Sequence, residues 1–134
     1  MAANHLPQYL FKYCPLQKIT EIRIIKLHPN GTRDADIDCE LSVLDLEAKE
    51  EEAYGAVSWC WGKAGDGGAN KKIRIRHGDT WYSFIISPNL DLALRTLRPS
   101  KAGTPKILWI DAICINQDDP REKNNQVPMM AKIY

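Results

Sequence analysis

The chain has 134 residues, 44% of them hydrophobic, and a formal net charge of +1. That length makes one domain with a real core, since a domain of this size buries roughly two-thirds of its unfolded surface. The near-neutral balance gives no field of one sign for nucleic acid or an acidic surface, and no apolar run approaches the roughly 20 residues that span a bilayer.

Met1 to Leu10 lacks the basic start and apolar core of a signal peptide. Residues 1–20 carry no clean periodicity and are expected to form an irregular lead-in to a domain over 21–134. Glu21 to Leu27 alternates Ile22 and Ile24 with charged neighbours and reads as a strand. Pro29-Asn30-Gly31 is turn chemistry. Ile37, Cys39, Leu41 and Val43 alternate again, giving a second strand antiparallel to the first. Glu47 to Glu52 reads as a solvated face. Tyr54 to Trp59 is a short apolar run, a third strand, entering Trp61-Gly62. The glycine-rich stretch from Gly62 to Asn70 matches neither phosphate-loop pattern and is expected to be a connecting loop.

Ile73 and Ile75 alternate with basic residues, and His77-Gly78-Asp79 turns the chain into Trp81 to Ile86, a β-hairpin. Ser87 suits a helix cap and Pro88 the first helical position. Leu90, Ala93, Leu94 and Leu97 then follow at i, i+3, i+4, i+7. Arg98 and Pro99 end that helix. The segment from Ile107 to Asp119, ILWIDAICINQDD, starts as a buried strand and turns abruptly polar. Asp111 interrupts the apolar run, where a carboxylate costs several kcal/mol or so unless it is satisfied. Asp119, Pro120 and Glu122 spell a D-x-x-E capping box. Val127, Met130, Ile133 and Tyr134 recur at near-helical spacing, with Pro128 expected to kink or shorten the helix. The four cysteines, Cys14, Cys39, Cys60 and Cys114, form no C-x-x-C pair. They read as reduced, mostly buried thiols of a cytoplasmic protein, and no metal site is expected.

The elements imply an α/β class. The strands at Tyr54 and Ile107 are expected to pair in parallel in the core, joined by a right-handed crossover, with the hairpin added at an edge. If so, the two loops after them share one crevice, because ligands collect outside the carboxyl ends of parallel strands. The candidate pocket is Ser58, Trp61, Gly62, Asp111, Asn116, Gln117 and Asp118. Trp61 offers a stacking face and Gly62 a close backbone approach. The polar side chains offer hydrogen bonds to a nucleotide or another polar molecule. Four of them have a structural alternative: core packing for Trp61, loop satisfaction for Asn116 and Asp118, loop bracing for Asp111. Asp119 and Glu122 read as cap or supporting residues.

These residues also resemble a family. ILWIDAICINQDD with Glu122, Gln126-Val127, Met130 and Ile133-Tyr134 is similar to the signature of the fungal heterokaryon incompatibility (HET) domain. Tyr54-Gly55-Ala56-Val57-Ser58-Trp59-Cys60-Trp61-Gly62 resembles its Y-x-A-L-S-Y-x-W-G. Asn89-Leu90, Ala93-Leu94 and Leu97-Arg98 resemble its N-L-x-x-A-L-x-x-L-R. IRIIKL from Ile22 and IDCEL from Ile37 resemble the segments leading into it. The resemblance implies a role in non-self recognition and programmed cell death signalling, through protein partners that include a second copy of the chain. It also implies a distant likeness to the TIR domain, hence a TIR/flavodoxin-like partial sheet with an added hairpin and antiparallel N-terminal strands. Some TIR relatives cleave NAD with a glutamate, so hydrolysis of NAD or a related nucleotide stays open as the alternative. Glu122 does not match that glutamate's place. HET domains continue beyond the Ile133-Tyr134 pair, so the chain reads as the N-terminal portion of the domain, and an inactive truncated fragment is a further alternative.

Overall fold

The computed structural model describes residues 9–32, 35–47, 54–57, 70–100 and 103–133. Among them, six strands form one mixed sheet, accompanied by three helices. In chain order these are β1 (Glu21–Leu27), β2 (Asp38–Asp45), β3 (Gly55–Val57), β4 (Lys71–His77), β5 (Thr80–Ile86), α1 (Pro88–Leu97), β6 (Lys106–Ile110), α2 (Asp111–Cys114) and α3 (Pro120–Ile133). The strand order across the sheet is β3-β6-β1-β2-β4-β5.

β1 and β2 pair antiparallel over their length, from Glu21 opposite Asp45 to Leu27 opposite Cys39. β3 and β6 pair in parallel, Gly55 opposite Leu108 and Val57 opposite Ile110. The expected parallel pair is therefore present, but β3 is not a core strand: it lies at one end of the described sheet. β6 is the interior member, because β1 pairs with its other side in antiparallel fashion. The β4–β5 hairpin extends the opposite end, joined through a parallel β2–β4 contact. Its turn uses Gly78 at φ 64°, a left-handed conformation that glycine adopts without steric cost.

β1 corrects the simple alternation expected for it. Ile22 and Ile24 are buried on one face, yet Arg23, which points the other way, is only 1% exposed. Both faces of β1 are covered, so its alternation does not report an outward side. Ile22, Ile24, Ile25, Leu27, Trp109 and Ile110 are all essentially solvent-free and centre the core on β1 and β6. On α1, Leu90 and Leu94 are buried in that core, and Ser87 Oγ accepts from Leu90 N at 3.2 Å as the cap. Arg98 takes an extended ψ of 127° before Pro99 and ends the helix.

The strand after α1 also ends sooner than the apolar run. β6 stops at Ile110, and Asp111 opens the single helical turn α2 instead of interrupting a strand. Helix α3 runs through Pro128 to Ile133, so the proline does not end it. Cys39 and Cys114 are buried whereas Cys14 is exposed. Cys60, Trp59, the glycine-rich stretch and Tyr134 lie outside the described residues, as does most of the acidic cluster.

Candidate functional site

Because β3 and β6 run in parallel with Val57 opposite Ile110, their carboxyl ends lie side by side. The polar residues 111–118 leave from that end of β6. Asp111 is half-buried, and its Oδ1 accepts from Ala112 N at 2.9 Å. Its backbone carbonyl closes the turn, accepting from Ile115 N at 3.2 Å and from Gln117 Nε2 at 3.0 Å. Asn116 Oδ1 accepts from Asp118 N at 3.1 Å, an Asx turn. Gln117 and Asp118 are exposed. The structure thus brings Asp111, Asn116, Gln117 and Asp118 into one braced loop. Ser58, Trp61 and Gly62, the other half of the expected crevice, lie outside the described residues.

Asp119 caps α3: its Oδ1 accepts from Arg121 N at 3.0 Å and Glu122 N at 3.4 Å. The reciprocal half of the capping box does not form. Asp119 N donates instead to Asn116 O at 3.2 Å. The Glu122 carboxylate turns inward to Arg23, with Nη1 to Oε2 and Nη2 to Oε1 both at 2.7 Å. Glu122 Oε2 also accepts from the Asn116 amide. The pair is nearly solvent-free, with side chains 2% and 7% exposed. Such a two-pronged pair has the short geometry of charge-assisted bonds, and burial makes each charge depend on the other.

Arg23 reaches further. Nη1 donates to Cys114 O at 3.2 Å and Nη2 to Cys14 O at 2.9 Å. Its guanidinium lies 4.7 Å from the centre of the Tyr13 ring, and Tyr13 Oη donates to Ile113 O at 2.6 Å. Burial pushes the Tyr13 hydroxyl well above its ordinary range; Cys114 adds to that shift and Arg23 opposes it. Burial likewise pushes the Cys114 thiol up to about 12, against the Ile110 amide that donates to its sulfur. Burial thus favours the neutral thiol over the thiolate in the folded state.

Residues 54–134 match the family model described as "Heterokaryon incompatibility protein (HET)". The chain belongs to the heterokaryon incompatibility family. It is 34% identical over 122 residues to heterokaryon incompatibility protein 6, OR allele, of Neurospora crassa, a match that covers 86% of this chain and 17% of that relative. The chain thus spans about a sixth of the length of the curated relative it matches. No solved structure matches it.

The HET match opens at β3, so β1 and β2 precede it. Glu122 and the 111–118 loop lie inside the matched region, while Arg23 and Tyr13 lie before it. The local sequence does not reveal Arg23 as the residue that holds the loop, for a physical reason. Arg23 and Glu122 are 99 positions apart, and each has a sufficient local reading, one as a polar strand position and the other as a cap partner. The one hint was an arginine between Ile22 and Ile24 in a strand with no turn chemistry of its own. A groove of about 450 Å³ lies beside the pair, lined by Pro15, Leu16, Ile19, Asp119, Glu122 and Gln126 among others. None of Asp111, Asn116, Gln117 and Asp118 lines it. Among the described residues, no set of three His, Cys, Asp or Glu side chains is placed to hold a metal ion, and no helix is long and apolar enough to cross a membrane.

Proposed function

We propose that this HET chain acts in fungal self/non-self recognition and programmed cell death signalling, by association with protein partners in the cytoplasm, a second copy of the chain among them. The observation that carries the reading is the family match over residues 54–134. The loop 111–118 is the working surface on this reading, because it presents exposed Gln117 and Asp118 on a turn held by Gln117 Nε2 on Asp111 O and by the Asn116 backbone amide on Glu122. The test is expression of the protein bearing this domain in a fungal host, beside its Asp111→Ala variant, with melting checked for both. Death with the parent and survival with the folded variant are the expected results. Equal behaviour of the two would remove the loop from the mechanism.

A second reading is hydrolysis of NAD or a related nucleotide. One observation favours it: the parallel β3–β6 pair, with its carboxyl ends adjacent, is where open α/β sheets hold ligands. The same pair, with α1 between its strands in the chain, supports a TIR/flavodoxin-like core extended by antiparallel strands. Nicotinamide release that disappears in Ser58→Ala and Asp111→Ala would establish the enzyme; intact NAD would leave association as the function.

A further inference from the structure

Residues 9–14 form no regular element, yet they cross from the hairpin edge to the candidate loop. At one end Leu10 bridges to Ser83 of β5, with Phe11 N to Ser83 O at 2.8 Å and Ser83 N to Tyr9 O at 2.9 Å. Phe11 packs edge-on against Tyr82 and Tyr13, with ring centres 5.7 and 5.0 Å away. At the other end, Tyr13 holds the carbonyl of Ile113 and Cys14 O accepts from Arg23. From these contacts we infer that residues 9–14 are a strap whose attachment sets the conformation of the 111–118 loop. The inference rests on the reading of that loop as the working surface.

The coupling runs through one guanidinium. Arg23 donates to the strap at Cys14, to the end of α2 at Cys114 and to Glu122, and Glu122 in turn accepts from the Asn116 amide. Detaching the strap takes an acceptor and an aromatic face from a buried cation and leaves the Ile113 carbonyl without its donor. The cation then re-partners, and the carboxylate that fixes Asn116 moves with it. The exposed end of the strap is its weaker attachment. Tyr9 and Leu10 are 68% and 53% exposed, and a segment held by a few bonds without regular structure belongs to the low-stability end of a fold. A partner that takes up the strap would thereby reset the loop.

Hydrogen exchange on the 134-residue chain tests this, with Tyr13→Phe removing the strap's hydrogen bond to Ile113 O and Phe11→Leu its aromatic packing at the hairpin end. Both variants are expected to speed exchange at the Asn116 amide roughly tenfold, while Ile24 and Leu41 in β1 and β2 stay within about twofold. An unchanged Asn116 amide in Phe11→Leu would overturn the strap, since only a local loss at Ile113 would then remain. Equal acceleration at Asn116, Ile24 and Leu41 would also overturn it, as global loosening. Faster exchange at Asn116 with unaltered cell death would leave the strap standing and refute the loop as the working surface.

Discussion

Removing the Glu122 carboxylate is the sharpest perturbation of this fold. Glu122→Gln keeps the shape and one acceptor oxygen but leaves the Arg23 charge buried without its counter-charge, and Glu122→Ala removes the acceptor for the Asn116 amide as well. Breaking a buried ion pair from one side costs about 3–5 kcal/mol. A buried donor left unpaired adds about 1–3 kcal/mol. Glu122→Gln is therefore expected to lose about 3 kcal/mol and Glu122→Ala about 5 kcal/mol, a large share of the roughly 5–15 kcal/mol that holds an ordinary domain. The double variant Arg23→Met/Glu122→Leu is expected to recover much of the loss, to within about 2 kcal/mol of the parent: both desolvation costs vanish together, and what remains is the backbone groups that the pair served. Urea unfolding followed by circular dichroism of the parent, Arg23→Met, Glu122→Leu and the double variant gives all four corners of the cycle, with Glu122→Gln and Glu122→Ala measured beside them. A loss under about 1 kcal/mol in Glu122→Gln would refute the reasoning, since a cation 1% exposed has no water to fall back on.

Two further outcomes follow from the geometry. The Cys114 thiol titrates near 12 in the folded chain against an ordinary 9.0, so the folded state keeps its proton longer than the unfolded state. This contribution is fully present below the ordinary value and is lost as pH rises from 9.0 toward about 12; burial of Cys39 and Tyr13 acts in the same direction, so melting temperatures measured across that window should fall, and a flat profile would contradict the burial. Gly78→Ala is expected to cost about 1–2 kcal/mol by thermal unfolding, wholly from the left-handed backbone, because an added Cβ at φ 64° meets no atom within 4 Å; an unchanged melt would mean that the turn adopts another conformation.

Much of the architecture was legible where local chemistry and tertiary context agree. The β4–β5 hairpin has its glycine at the one position that needs positive φ, and α1 has its serine cap, first-turn proline and apolar stripe in register. The parallel pairing of the Tyr54 and Ile107 runs followed from the elements between them. The misreadings arose where a distant partner decides. Asp111 reads as a flaw in a strand because the apolar run continues through Ile113 to Ile115, but Ile113 and Cys114 are buried in a helical turn that Ile115 ends, and hydrophobicity alone does not separate a buried strand from a buried turn. β3 reads as a core strand because nothing local reveals that, among the described residues, β6 is the one strand that pairs with it. Glu122 reads as the second half of a capping box, and only the fold shows that Arg23 claims its carboxylate.

That competition explains why the sequence spends two charges inside the protein. A buried ion pair is weak evidence of stability, since apolar residues of similar volume often do as well or better. As a charge pair alone, the two could be replaced by a methionine and a leucine without loss. Neither could accept from the Asn116 amide, donate to Cys114 O or donate to Cys14 O, which Glu122 and Arg23 do at once. Those backbone groups belong to the lead-in, to the end of α2 and to the polar loop, three segments with little regular structure to place them. The pair's contribution is thus placement. It holds a loop of exposed polar residues at the carboxyl end of β6 in one conformation and ties that conformation to the N-terminal segment. The double apolar variant separates the two roles: it should melt close to the parent, yet the Asn116 amide should exchange freely. Protection of that amide in the folded double variant would show that the loop is held by its own turns, and the ion pair would then be left without a structural purpose.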